Sequence, residues 1–72
     1  MQFAKKIRLL LVECDNISEA ELARRVGETP QNFNKRMKRD NFDVETLQKI
    51  ANALNVNLVA DVYFEFPDGT KI

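Results

Sequence analysis

Ser18–Arg39 reads SEAELARRVGETPQNFNKRMKR, and its punctuation decides the fold. Ser18-x-x-Glu21 is a capping box: the Ser18 hydroxyl can accept from the backbone N–H three residues on, and the Glu21 carboxylate can reach back. Ile17, just before the cap, and Leu22 form a hydrophobic staple. Leu22, Ala23 and Val26 then mark one apolar face. Gly27 sits where a helix ends in a left-handed residue. Thr29 is a second N-cap, and Pro30 is pre-set for the first helical position. Beyond it, Phe33 and Met37 stand one turn apart among Gln31, Asn32, Asn34 and Lys35. The stretch predicts two short helices joined by a tight break, with the small Ala23 allowing a close, steep crossing.

On these residues the chain resembles the phage repressor and Cro family, the XRE-type helix-turn-helix proteins. With Glu19 as the first position of the twenty-residue motif, Leu22, Ala23, Val26, Gly27 and Phe33 match its fourth, fifth, eighth, ninth and fifteenth places. The likeness continues through LQKIANALNV, which resembles the helix after the recognition helix, and covers roughly residues 2–57. Within it, TPQNFNKRMKRDNF is similar to a subgroup of small bacterial and phage regulators. The chain departs from the pattern at named places. Glu19 replaces the glutamine whose amide often touches a phosphate, Glu28 and Arg36 stand at usually apolar places, and Pro30 replaces a residue that often reads bases.

The resemblance implies a sequence-specific regulator of double-stranded DNA, a dimeric repressor that lays helix 30–39 in the major groove of a palindromic operator. Gln31, Asn32 and Lys35 fall at base-reading positions. A Gln31 amide can pair bidentately with adenine N6 and N7, and Lys35 favours guanine O6 and N7. Thr29 and Asn34 are candidates for hydrogen bonds to phosphate. Arg24, Arg25, Arg36, Lys38 and Arg39 are the cations available to the DNA backbone. The alternative is a protein-interaction module or antitoxin-like adaptor that keeps the fold without specific DNA binding, motivated by Glu19, Glu28 and a net charge of zero.

Charge distribution favours the first reading over the sum. Between Arg24 and Arg39 six cations face one acid, Glu28, whereas from Asp40 onward six acids face two lysines. A basic block can be simply a solvated helix face, but on a helix-turn-helix reading element it is the footprint expected of a nucleic-acid partner. Seventy-two residues make one domain with a small core, so oligomerisation is expected. A single cysteine, Cys14, excludes an internal disulfide and a paired-cysteine metal knuckle, and the absence of histidine removes His-based acid–base chemistry and the common zinc sites. Ser18, Tyr63 and the carboxylates lack a partnering base, and no glycine-rich phosphate loop occurs. We therefore expect no enzyme, no metal, no cofactor and no small-molecule ligand. The apolar run Leu9–Val12 is far too short to span a bilayer, no signal peptide is evident, and a cytoplasmic, bacterial or phage-encoded protein is expected.

Outward from the motif, residues 2–14 carry Phe3, Ile7, Leu10, Leu11 and Cys14 on one helical face, and Asp15-Asn16 breaks the helix. Cys14 is read as a small core residue. Leu9 and Val12 fall off that stripe and suit either a dimer contact or a wide core face. Asp43 caps a fourth helix, with Phe42 and Leu47 as its staple, and Leu47, Ile50, Ala51 and Leu54 at helical spacing. Asn55 is a left-handed end. The period then switches to two: Leu58, Ala60, Val62, Phe64 and Phe66 alternate with Val59, Asp61, Tyr63 and Glu65 as one strand. Pro67-Asp68-Gly69 is a turn, and Thr70–Ile72 a short return strand. The fold class is mainly α (α+β): a four-helix repressor/Cro-like domain over 1–57, with a C-terminal strand or hairpin over 58–72. Because a long strand leaves an open edge, Leu58, Ala60, Val62, Phe64 and Phe66 are the expected homodimerisation element; a hairpin folded onto its own core is the alternative.

Overall fold

The apolar stripe of the first segment buries as the spacing predicts. In the computed structural model, which describes residues 3–60 and 63–72, α1 spans Phe3–Glu13 and buries Phe3, Ala4, Ile7, Leu10 and Leu11. Cys14 packs half-buried against the same core. Leu9 and Val12 remain 51% and 58% exposed, so they belong to no wide core face. Asp15 and Asn16 both turn left-handed, at φ 63° and 58°, and Ile17 N–H donates back to the Leu11 carbonyl at 3.2 Å. Aspartate and asparagine tolerate that region better than most side chains.

α2 spans Glu19–Val26 and α3 spans Pro30–Arg39. The caps form as the sequence indicates: Ser18 Oγ accepts from Glu21 N–H at 3.0 Å, Gly27 is left-handed at φ 83°, and Thr29 Oγ1 accepts from Asn32 N–H at 3.2 Å. The capping box is only half made, because the Glu21 carboxylate turns away to Arg24 and Arg25. α4 spans Val44–Ala53, capped by Asp43 Oδ1 accepting from Thr46 N–H at 2.8 Å, and Asn55 is left-handed at φ 56°. Leu22, Ala23, Phe33, Leu47, Ile50 and Ala51 make the centre of one core, and Phe42 closes over Phe33 edge-on at 6.1 Å.

One tie binds the start of α1 to the end of α3. Asp40 ends α3 in a left-handed conformation, φ 53°, and its Oδ1 accepts from Ala4 N–H at 2.9 Å. It therefore satisfies an orphan donor in the first turn of α1, across 36 positions of sequence.

The C-terminal element corrects the expectation of a single strand over 58–66. β1 (Asn57–Val59) and β2 (Tyr63–Glu65) pair antiparallel, with Leu58 opposite Phe64 and Ala60 left-handed at φ 53° in the connection. Val62 of the expected dimer element lies, with Asp61, outside the described residues. The turn at Pro67–Gly69 and the return segment form: Phe64 and Ile72 exchange N–H···O bonds of 2.8 and 2.9 Å, and Asp68 Oδ1 accepts from Thr70 N–H at 2.8 Å. β2 thus has a partner on each edge. Its Phe64 is fully buried and meets Phe3 edge-on at 6.2 Å. The physical reason is the same edge problem that suggested a dimer: β1 and the return segment satisfy β2 within the chain, and Phe64 completes the core over α1.

Candidate nucleic-acid interface

α3 divides cleanly. Phe33 and Met37 are buried, and Gln31, Asn32, Asn34, Lys35, Lys38 and Arg39 are exposed. At 3.6 residues per turn, Gln31, Lys35 and Arg39 form the i, i+4, i+8 line facing away from the core. Asn34 and Lys38 flank that line on the side of α1, where Lys38 shares a groove with Lys5 and Arg8. Asn32 and Arg36 flank it on the other side. Thr29 sits at the mouth of the helix; its oxygen is used as the cap acceptor, which leaves the hydroxyl proton to donate outward.

The two acids at usually apolar or phosphate-bracing places are both matched by cations. Arg36 Nε donates to Glu28 Oε1 at 2.8 Å, in a pair whose side chains are only 35% and 20% exposed. The second oxygen, Glu28 Oε2, is buried without a hydrogen-bond partner among the described residues. Glu19 lies 3.9 Å from Arg8 of α1. Glu21 takes Arg24 at 3.2 Å and Arg25 at 3.1 Å. Those guanidinium groups, Arg25 first, hold the Glu21 carboxyl below its ordinary value.

The sequence-derived residues therefore fall into two sets. Gln31, Asn32, Asn34, Lys35, Lys38 and Arg39 share one exposed surface around the outer face of α3, with Thr29 at its start. Arg24 and Arg25 stand on α2 with Glu21 between them, and Arg36 is drawn inward to Glu28. The dimerisation set does not form one surface: Phe64 is in the core, Leu58 and Phe66 are half-buried against it, and Ala60 is exposed in the turn. Arg8 and Lys5, which border α3, were not among the residues singled out by sequence.

Burial, with nearby Asp15 and Glu13, pushes the Cys14 thiol up, as befits a packing residue rather than a nucleophile. Among the described residues no three His, Cys, Asp or Glu side chains gather where a metal could bind, and no helix is long and apolar enough to cross a membrane.

Comparison with known proteins agrees with this fold. The family model described as the Cro/C1-type HTH DNA-binding domain matches residues 6–63. No curated protein and no solved structure matches the chain significantly. The matched span runs from α1 into the C-terminal hairpin, and the chain belongs to the Cro/C1-type helix-turn-helix family.

Proposed function

We propose that this member of the Cro/C1-type family is a sequence-specific transcriptional regulator that seats α3 in the major groove of double-stranded DNA and represses by occupying its site. The observation that carries the reading is the outer face of α3, where every exposed side chain after Pro30 is an amide or a cation. Gln31 at the N-terminal end is the principal base reader, its amide chemically suited to adenine; Asn32 and Lys35 are the further base contacts. Thr29 and Asn34 donate to phosphate, and Lys38 and Arg39, without ion-pair partners among the described residues, supply charge to the backbone. Arg24 and Arg25 contribute to the field near the DNA while remaining tied to Glu21. Arg36 acts chiefly through the fold, by holding Glu28.

A palindromic operator requires two copies. β2 is satisfied on both edges within the chain, so a homodimer through the C-terminal element would use the outer edge of β1, around Leu58 and Ala60, rather than Phe64.

One observation favours a second reading, a protein-interaction module: Leu9 and Val12 are large apolar side chains left exposed together on α1. The acids that motivated that reading, by contrast, are already balanced by Arg8 and Arg36. Selection of bound sites from random duplex, followed by the mass of the complex, separates the two. Enrichment of a palindrome bound by two copies supports the regulator. A chain with no enriched site and no salt-dependent affinity for random duplex is an adaptor.

A further inference from the structure

Beside α3, and separate from its base-reading line, a groove of about 520 Å³ runs between α1 and the end of α3. Its floor is apolar, made by the buried Ala4 and Met37. Its walls carry Lys5 and Arg8 from α1 and Lys38 from α3. The acid at its end, Asp40, is committed through Oδ1 to Ala4 N–H at 2.9 Å. Three cations from two elements thus converge on one open concavity. Neither Lys5 nor Lys38 has an ion-pair partner among the described residues, and Arg8 holds only the long 3.9 Å contact to Glu19. Asp40 keeps its charge, so three cations stand against one acid, and the excess focuses positive potential into the concavity.

The position of the groove names the anion. It lies against the C-terminal end of α3, at Met37, Lys38 and Asp40, and Arg8 extends it to the N-terminus of α2, where Glu19 stands. A duplex seated on α3 would lay one sugar-phosphate backbone along this flank. Glu19 itself cannot donate to a phosphate, and its carboxylate would repel one; the cation beside it can do the first and offsets the second.

We propose that the groove is a backbone-phosphate site, in which Lys5, Arg8 and Lys38 grip one DNA strand beside the recognition helix and Arg8 supplies the donor that Glu19 lacks. The proposal rests on the DNA-binding reading of α3 and adds α1 to its footprint.

The test is the salt dependence of binding to a random-sequence duplex of about 20 base pairs, followed by fluorescence anisotropy over about 50 to 200 mM salt. Each phosphate contact contributes about 0.9 to the slope of log affinity against log salt, so Lys5→Gln and Arg8→Gln should each lower it by about 0.9 and the double variant by about 1.8. Over that salt range the wild-type affinity then falls about twelvefold more than that of the double variant. Lys49→Gln, which removes an α4 cation outside the groove, should leave the slope unchanged. Both groove side chains are exposed, so thermal melts should match the wild type, and Lys5→Gln alone carries the test if the Arg8 variant melts early. A wild-type slope retained by both groove variants overturns the groove and leaves the α3 reading standing. An equal loss in Lys49→Gln also overturns it, because net charge would then be the cause. Absence of salt-dependent binding by the wild type removes the α3 reading, and the groove proposal with it.

Discussion

Glu28 and Arg36, eight positions apart, form a 2.8 Å ion pair that fills the space between the inter-helix turn and the inner flank of α3. Opposite charges stand together at two places of the motif that are usually apolar. The pair therefore repairs itself, and the helices keep their crossing. It is also costly, since Glu28 Oε2 is left buried and unpartnered among the described residues. Removing one member leaves a largely desolvated charge behind, whereas replacing both by apolar groups removes the desolvation with the attraction. The side chains are 35% and 20% exposed, so the effect is smaller than for a fully buried pair. Arg36→Met and Glu28→Leu should each destabilise by about 1–3 kcal/mol, roughly 4–8 °C in Tm per kcal/mol for a domain of this size. The double variant should melt near the wild type or above it. Additive losses in a denaturation cycle would contradict this account.

Gln31 and Lys38 separate reading from gripping. Gln31→Ala on the selected site should cost about 1–3 kcal/mol and relax preference at one base pair, with affinity for random duplex unchanged. Lys38→Ala should weaken all sequences alike and lower the salt slope by about 0.9. Equal losses on specific and random DNA for Gln31→Ala would remove it from base readout.

The difference between these residues and the ones that sequence missed is instructive. Ser18, Gly27, Thr29, Pro30, Asp43 and Asn55 were legible because each acts on backbone within a few residues of itself, and local chemistry is what a sequence records. The Phe33/Met37 face was legible from the helical period. Asp40 capping α1, Arg8 reaching Glu19, and Lys5 facing Lys38 were not, because each depends on how α1 lies against the rest of the chain. The strand error has the same origin. Alternation over 58–66 predicts extended backbone but carries no information about a reversal at Ala60, an alanine in a region it seldom adopts. Glu28 and Arg36 were a missed signal of another kind: two opposite charges at two apolar places are more readily explained as a pair than as two separate departures.

Acid should act first on the Asp43 cap and on the Glu21 ion pairs, before the core. The Thr46 hydroxyl and N–H hold the Asp43 carboxyl below its ordinary value of 3.8, and the arginines hold Glu21 below 4.5. In both cases the folded value lies under the unfolded one, so the unfolded chain binds more protons in the interval between them. The stabilisation is complete above the ordinary values and fades as pH falls through the lowered ones. Tm should be flat near neutrality and decline below about pH 4 to 5. Asp43→Asn keeps an acceptor for Thr46 but cannot titrate. It should lower Tm at pH 7 and flatten the acid limb, so that the two melting curves converge in strong acid. A variant running parallel to the wild type at every pH would show that the Asp43 charge contributes nothing.

Phe64 decides whether the C-terminal hairpin belongs to the monomer. Its ring is fully buried against Phe3, its backbone is bonded to Ile72, and its strand is paired to β1. Truncating a buried phenylalanine costs about 3–5 kcal/mol, a large share of the roughly 5–15 kcal/mol that holds a domain together. If the ring serves the chain's own core, Phe64→Ala should lower Tm by the same amount at every protein concentration, and the variant should lose helix by circular dichroism along with the hairpin. If the ring instead serves an interface between two copies, dilution of the wild type should reproduce much of the variant's loss, because an interface residue stabilises in proportion to the occupied dimer. Melting across about a hundredfold range of concentration, equivalent to about 2.7 kcal/mol of linked stabilisation, distinguishes the two outcomes. The geometry of β2 predicts the first.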